Sequence, residues 1–457
     1  MLAANLKLRC ALILALTLGV LLSAGKAYAV PAYARQTGQQ CIACHVSFPE
    51  LTPYGRYFKL TGYTIGERQW VPLAMMAQVG ITSISNNTMP DGSGSVINRD
   101  NNPQFSAASL FLAGKANDYL GGFIQYTYNN ASNPANPAEH LKGQSALDNT
   151  DIRAVGKAYG LDAEEVNFIY GFTLNNNPTV QDVWNSTPAF GFPFTASPTA
   201  PTPTAATLID GGLAQQVAGY GIYGYLKKTL YAEFSFYQTA DGMFSWMRHG
   251  QHSGDSMGVN RLQGLNPYYR VALTHDWGPH SAMVGAYGLT ARVYPDNTDP
   301  TTPTNKFIDN AFDAQYQYIT DPHVFTTQWT YIHERQNLDG TFAANGSTNS
   351  VDILKTWRGK LTYYYQRKYG ANFQYFDTAG TIDSILYSSS IITGSANGSP
   401  NSRGQIYELD FVPIQNVRLM LQYTAYNRFN GGSTNYDGFG RNASDNNTLF
   451  LNIWFAY

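Results

Sequence analysis

Charged side chains are scarce in this chain of 457 residues, in which Asp, Glu, Lys and Arg together make up 13%. The formal net charge is −2, so nothing in the composition indicates a nucleic-acid partner or an anionic membrane surface. Cysteine is rarer still, with three residues, and Cys10 lies in a segment that we expect to be removed. Beyond the N-terminus no apolar run is long enough for a transmembrane helix.

The N-terminus has the pattern of an export signal. Lys7 and Arg9 form a basic start, residues 11–22 are apolar, and residues 27–29 read Ala-Tyr-Ala, which fits a cleavage site. We interpret residues 1–29 as a secretory signal peptide. The mature protein is therefore expected outside the cytoplasm.

The two remaining cysteines stand in the run 41–45, Cys-Ile-Ala-Cys-His, which has the C-x-x-C-H spacing of c-type haem attachment. Cys41 and Cys44 would form thioethers to one covalently bound haem c, and His45 would ligate its iron. A disulfide does not need the histidine, and zinc would need a further ligand that the flanking residues do not offer. The motif therefore predicts haem.

The rest of the chain is rich in the residues of membrane barrels. Aromatic residues make up 14%, with 33 tyrosines, and there are 42 glycines. Residues 165–174, 309–318 and 417–425 alternate strictly between apolar, mostly aromatic positions and polar positions. A secreted all-β domain could share this composition, but so many alternating strands separated by polar loops favour an outer-membrane β-barrel.

The alternation predicts an all-β fold, an antiparallel outer-membrane barrel of about sixteen strands. The predicted strands cover residues 71–84, 104–116, 119–129, 151–159, 164–174, 216–226, 229–239, 267–275, 281–294, 307–319, 323–334, 356–365, 369–377, 404–412, 416–426 and 447–457. Short turns alternate with long polar loops, the longest running from Asn175 to Gln215. In barrels the short turns face the periplasm and the long loops face outside, so both chain ends are expected on the periplasmic side.

A barrel of this size encloses a wide lumen unless something fills it. Charges of both signs fall on the parity that we assign to the lumen: Glu165, Glu233, Asp309, Asp313, Glu408, Asp410, Arg153, Arg270, Arg292, Arg358, Lys360 and Arg418. Residues 30–70, the monohaem cytochrome c segment, are too few to enclose a haem alone. We therefore expect this small α-helical segment, with a short helix over residues 49–60, to plug or cap the lumen of a porin-like barrel formed by residues 71–457.

A methionine at the start of the first strand is the candidate for the second iron ligand. Met76 shares parity with Gln78 and Thr82, which places it toward the lumen, whereas Met75 is expected to face lipid. A methionine in a strand more often fills space than binds metal. Beside a haem that lacks a ligand, Met76 is nevertheless the nearest candidate, and His/Met ligation would raise the reduction potential.

The N-terminal block resembles the family of fused monohaem cytochrome c–porins, which includes outer-membrane Fe(II) oxidases. The resemblance rests on residues 31–38, the motif 41–45, residues 49–56 and residues 58–63, followed by a barrel of this length. It implies that Cys41 and Cys44 hold the haem and that His45 and Met76 are the iron ligands. It also implies Fe(II):cytochrome c oxidoreductase-type activity in the outer membrane, with Fe(II) or another extracellular donor and a periplasmic c-type cytochrome as partners.

Two other functions remain open at this point. The chain could be a porin for small polar solutes in which the haem segment is structural or a gate, or it could export electrons to an acceptor outside the cell. A plugged lumen would favour electron transfer, and an open one would favour transport. The run 249–252, His-Gly-Gln-His, could bind a metal, although such a loop is more often solvated surface.

Overall fold

The computed structural model describes residues 31–129, 144–160, 165–248 and 260–457. The expected signal peptide, residues 1–29, and the candidate metal-binding run 249–252 lie outside these ranges. None of the described helices is long and apolar enough to cross a bilayer.

Within the described ranges, sixteen strands form one antiparallel sheet, which closes into a barrel because the first strand pairs with the last. The strands are β1 (Leu73–Ile84), β2 (Pro103–Asn117), β3 (Leu120–Asn129), β4 (Gln144–Tyr159), β5 (Val166–Asn175), β6 (Val217–Leu226), β7 (Leu230–Thr239), β8 (Asn266–Trp277), β9 (His280–Tyr294), β10 (Asn305–Ile319), β11 (His323–Asn337), β12 (Val351–Tyr365), β13 (Tyr369–Gly380), β14 (Ser402–Ile414), β15 (Val417–Arg428) and β16 (Thr448–Ala456). The predicted barrel and its strand number are confirmed. A two-residue strand, Arg261–Leu262, adds to β9.

The alternation in the sequence sorts side chains between two faces of the wall. On β5, Phe168, Tyr170 and Phe172 are exposed on the outside, whereas Ile169 and Thr173 are buried in the lumen. The outer face is therefore apolar and aromatic, as a lipid-facing wall requires. The alternation also explains why the strand positions were predictable from the sequence.

The two ends of the barrel differ in their connections. Turns of two or three residues join strands at one end, which we call the turn end; in the turn of residues 227–229, Lys227 and Lys228 have φ of 50° and 54°. Positive φ at two successive turn positions matches the twist of paired strands. Long loops occupy the other, the loop end. The barrel begins and finishes at the turn end, where the Met75 amide donates to the carbonyl of Tyr457 over 2.8 Å.

Residues 31–70, which we call the plug, pack against the lumen wall. The plug contains the short helices α1 (Ala32–Thr37), α2 (Cys41–Cys44) and α3 (Pro53–Leu60). The Nζ of Lys360 on β12 lies 3.3 Å from a carboxylate oxygen of buried Glu50, and the Tyr63 hydroxyl donates to the carboxylate of Asp151 over 2.6 Å. The expected helix over residues 49–60 begins later, because Thr52 caps α3 and Pro53 supplies its first residue. That the plug is a cytochrome segment stays a prediction.

The long connection between β5 and β6, residues 176–216, was expected as an external loop, and that expectation was wrong. This segment, the inner loop, folds into the lumen and contacts strands around the barrel. The hydroxyl oxygen of Ser197 lies 2.6 Å from that of Thr82, and the side-chain amide of Gln181 donates to the carboxylate of Glu233 over 2.7 Å. The polar composition that resembled a solvated loop instead satisfies polar groups of the lumen wall.

Two of the charges assigned to the lumen lie elsewhere. Glu165 precedes β5 in an exposed turn, where it pairs with Lys228. Arg292 on β9 is exposed, because the buried residues of that strand are its odd-numbered neighbours Ala291 and Val293. Glu165 lies just outside its strand, and β9 carries apolar residues on both parities, such as buried Met283 and exposed Val284, so the sequence of β9 does not show which face Arg292 takes.

Candidate functional site

The C-x-x-C-H run forms a single helical turn followed by extended backbone. Helix α2 spans Cys41–Cys44, and His45 opens a short strand that pairs with Leu51. The thiols of Cys41 and Cys44 are both free, so no disulfide joins them. In the described ranges, no group of three or more His, Cys, Asp or Glu side chains is arranged to hold a metal ion.

Helix α3 packs directly on this motif. The Thr52 hydroxyl donates to the carbonyl of Ala43 over 2.5 Å, and the Thr52 amide donates to that of Cys44 over 2.9 Å. A Cβ added at Gly55 would lie 2.2 Å from the carbonyl oxygen of Cys44. Because only glycine permits that approach, residue 55 determines how closely the helix covers the motif.

A cavity of about 400 Å³ lies beside the motif at the turn end of the lumen. Cys41, Cys44, His45 and Met76 all border it. Its wall also includes these aromatic side chains: Tyr33, Phe48, Phe58, Tyr63, Phe111, Phe123, Phe190, Phe194 and Trp454. The four residues predicted from the sequence are therefore brought to one largely apolar cavity with many aromatic side chains, which is the usual lining for a bound organic group.

His45 has the electrostatic state that a metal ligand needs. Burial lowers the pKa of its imidazole to about 4, so the ring is neutral at pH 7. Its buried Nδ1 has no hydrogen-bond partner among the described residues. A neutral imidazole at the edge of the cavity has a lone pair free for a metal.

Burial also raises the pKa of both thiols next to His45. For Cys44 the value rises to about 11, first through desolvation and then through the neighbouring Cys41. The pKa of Cys41 is raised by desolvation as well. Both sulfur atoms are therefore protonated thiols at neutral pH and do not act as a pair of buried thiolates.

The methionines of β1 lie on the faces that the sequence predicted. Met75 is 50% exposed on the outside, whereas the Sδ of Met76 lies 3.9 Å from the Nε2 of lumen-facing Gln78. Both residues border the cavity, but the side chain of Met76 is the one on the lumen face. That Met76 ligates iron stays a prediction.

Exchange of each methionine for alanine tests that prediction. Met76→Ala is expected to abolish the near-infrared thioether–iron charge-transfer band and to lower the midpoint potential, because His/Met ligation holds the potential high. Met75→Ala is the matched control and should change neither, because its side chain faces outward. Equal behaviour of the two variants in absorption and redox titrations would contradict the assignment.

The donor set fits a c-type haem. Two thiols three residues apart, a neutral imidazole and a thioether sulfur border one cavity with aromatic walls. In such a site Cys41 and Cys44 would hold the group, His45 and Met76 would ligate it, and the aromatic wall would exclude water.

Several residues of the cavity were not singled out from the sequence. The ring of Phe48 lies 4.6 Å from that of His45 and 5.3 Å from that of Trp454. Trp454 could have been found, because it lies between outward-facing positions of the last strand. Phe190 and Phe194 could not, because they belong to the inner loop, whose entry into the lumen has no periodic signal.

The solved structures that resemble this chain include outer-membrane channels. No protein-family model and no curated protein matches the chain. Among solved structures, the outer membrane channel DcaP of Acinetobacter baumannii is 11% identical with a TM-score of 0.47, covering 84% of this chain and 96% of its own. OmpF of Salmonella typhi in complex with daunomycin is 10% identical with a TM-score of 0.46, covering 84% of this chain and 97% of its own.

Proposed function

We propose that this protein is an outer-membrane electron-transfer protein that carries one c-type haem in the turn-end cavity. The observation that carries the proposal is the convergence of Cys41, Cys44, His45 and Met76 on one aromatic cavity inside the barrel. The aromatic outer wall supports insertion into outer-membrane lipid. By the usual arrangement of such barrels, the turn end and both chain ends face the periplasm.

The residues of the site would position and insulate the bound group. Cys41 and Cys44 would anchor it, His45 and Met76 would ligate its iron, and Phe48 and Trp454 would pack against it. When bound, the haem supplies the one-electron acceptor and donor. The plug and the inner loop keep bulk water away from it.

Fe(II) is the donor that we propose, with a periplasmic c-type cytochrome as acceptor. The choice of Fe(II) rests on the resemblance of residues 31–63 to the cytochrome c–porin family, and the expected His/Met ligation is consistent with accepting electrons from a weak reductant. If Fe(II) is oxidised outside the cell, its insoluble Fe(III) product stays outside. The same site would serve electron export if the partners were reversed.

Anaerobic mixing of oxidised protein with Fe(II) tests this function. We expect the haem spectrum to become that of the reduced form at a rate proportional to the iron concentration. His45→Ala should be inert, because its iron lacks the proximal ligand. His323→Ala is the matched control, since His323 is an exposed histidine that contacts Tyr363 at the turn end. Wild-type haem that dithionite reduces but excess Fe(II) does not would overturn the choice of donor.

A channel for small polar solutes is the second candidate, and the sixteen-strand barrel favours it, because barrels of that size enclose a water-filled pore. Two segments inside the lumen, the plug and the inner loop, argue against it. In the inner loop, the rings of Phe192 and Phe194 lie 5.2 Å from the guanidinium of Arg358 and 4.2 Å from the Nζ of Lys360, both on the wall strand β12. Conductance decides between the two functions, as set out in the Discussion.

A further inference from the structure

Lys59 is a buried lysine in the wall of the candidate haem cavity. It lies on α3, is 4% exposed and borders the cavity together with Phe190. Its Nζ donates to the carbonyl oxygens of Val180 and Asp182 over 2.7 and 2.6 Å and to Oδ1 of Asn185 over 2.8 Å. All three acceptors belong to the inner loop, so this ammonium joins the plug to that loop.

The charge of Lys59 is not balanced by a direct carboxylate contact. Its three acceptors are neutral oxygens, and Nζ lies 5.0 Å from the centre of the Phe190 ring. In the described ranges no carboxylate oxygen lies within ion-pair distance of it, whereas Lys360, the other buried lysine of the lumen, pairs with Glu50. Burial of an unpaired charge favours the neutral form of the group.

The other charged groups that act on Lys59 do not remove this imbalance. Arg153 on β4 repels its ammonium, while Asp151 on β4, Glu233 on β7 and Asp182 of the inner loop attract it. Asp151 is paired with Arg153, and Asp182 is paired with Arg270. Burial outweighs these contributions and lowers the pKa of Lys59 to about 7. The side chain of Lys59 therefore changes between ammonium and neutral amine near neutral pH.

We propose that Lys59 is the proton-linked site of the cavity, which takes up one proton as the neighbouring haem accepts one electron. This inference rests on the proposed function. A one-electron reductant such as Fe(II) supplies the electron, and water supplies the proton that converts the Lys59 amine to ammonium. When the electron leaves for the acceptor, the proton returns to solvent. Lys59 acts through the charge at its Nζ and is a positioning residue without contact to iron.

The sign of the expected pH dependence follows from the charge. Below the pKa of Lys59 the cavity wall carries a positive charge, which favours the reduced haem and raises the potential. As the pH rises through that pKa the charge is lost and the potential falls. The slope does not exceed one proton per electron, because a single group titrates.

Redox titration of the full-length protein across the neutral pH range tests the inference. Lys59→Arg should keep a high potential that no longer changes with pH, because a guanidinium does not lose its proton in this range. Lys59→Met should give a low potential that is equally flat. Lys228→Met, at an exposed lysine, is the control and should behave as the wild type.

A further variant keeps the lysine and changes its acceptor. Asn185→Asp places a carboxylate against Nζ, so the pH range of the slope should move upward. A flat wild-type profile, or a slope that survives in Lys59→Arg, overturns the proton link while leaving the electron-transfer function in place. Absence of covalent haem from the wild-type protein overturns the function itself.

Discussion

Replacement of Cys41 and Cys44 with alanine is expected to remove covalently bound haem completely. The two sulfur atoms are the attachment points that the C-x-x-C-H motif provides, and His45 alone forms no covalent bond to the porphyrin. The barrel should persist, because its strands begin at Leu73 and contain no cysteine. Haem staining on denaturing gels measures the loss, and heat-modifiable migration of the outer-membrane fraction reports the folded barrel.

Each single variant is the internal control for that result. Cys41→Ala and Cys44→Ala should each keep one thioether and hence a weaker stain. Ser47→Ala, at a buried position next to the motif, should stain as the wild type. Covalent haem that survives in the double variant would contradict the assignment of the motif.

Arg270→Met is expected to open the lumen. Arg270 lies within 3.0 Å of Asp182 in the inner loop and within 2.8 Å of Asp313 on β10, and all three side chains are fully buried. Without the guanidinium, two buried carboxylates of like charge remain without their shared partner. Removal of one member of a buried ion pair costs about 3–5 kcal/mol. The inner loop should therefore leave its position, and planar-bilayer conductance should rise above that of the wild type.

The matched control is Arg403→Met. Arg403 pairs with Asp377 over 2.7 Å, but its side chain is 50% exposed, so the loss should cost less than about 1 kcal/mol and leave conductance unchanged. High conductance of the wild-type protein would support the solute channel instead of the plugged electron-transfer protein. Equal, low conductance of wild type and Arg270→Met would show that the plug alone closes the lumen.

The sequence was sufficient for the wall of the barrel and insufficient for its contents. Strand positions follow from alternation, as at Phe168 and Tyr170, because each residue faces either lipid or lumen. The inner loop carries no such pattern, since its residues meet partners from many strands. Asp182 and Arg270 are 88 positions apart in the numbering, and no local rule pairs them.

In the candidate site, the motif residues were predictable from the sequence and the rest of the cavity wall was not. The motif residues Cys41, Cys44 and His45 carry a fixed spacing, and Met76 could be assigned to the lumen by parity. Lys59 and Phe190 could not be placed in the cavity wall from the sequence, because the first depends on how α3 packs and the second on the inner loop. Local chemistry was visible in the sequence, whereas long-range packing required the structure.

Closure of the wall around the plug imposes an order on biogenesis. The barrel closes when Thr448–Ala456 pairs with Leu73–Ile84, and the segment that precedes Leu73 then lies inside the closed wall. Cys41 is 8% exposed in the closed barrel, so a maturation enzyme could no longer reach its thiol. Attachment of a haem at this residue would therefore have to be finished in the periplasm, on an unfolded chain held ready for insertion. The enzymes that form the thioethers would have to act on each molecule first, and the machinery that assembles the barrel would act after them.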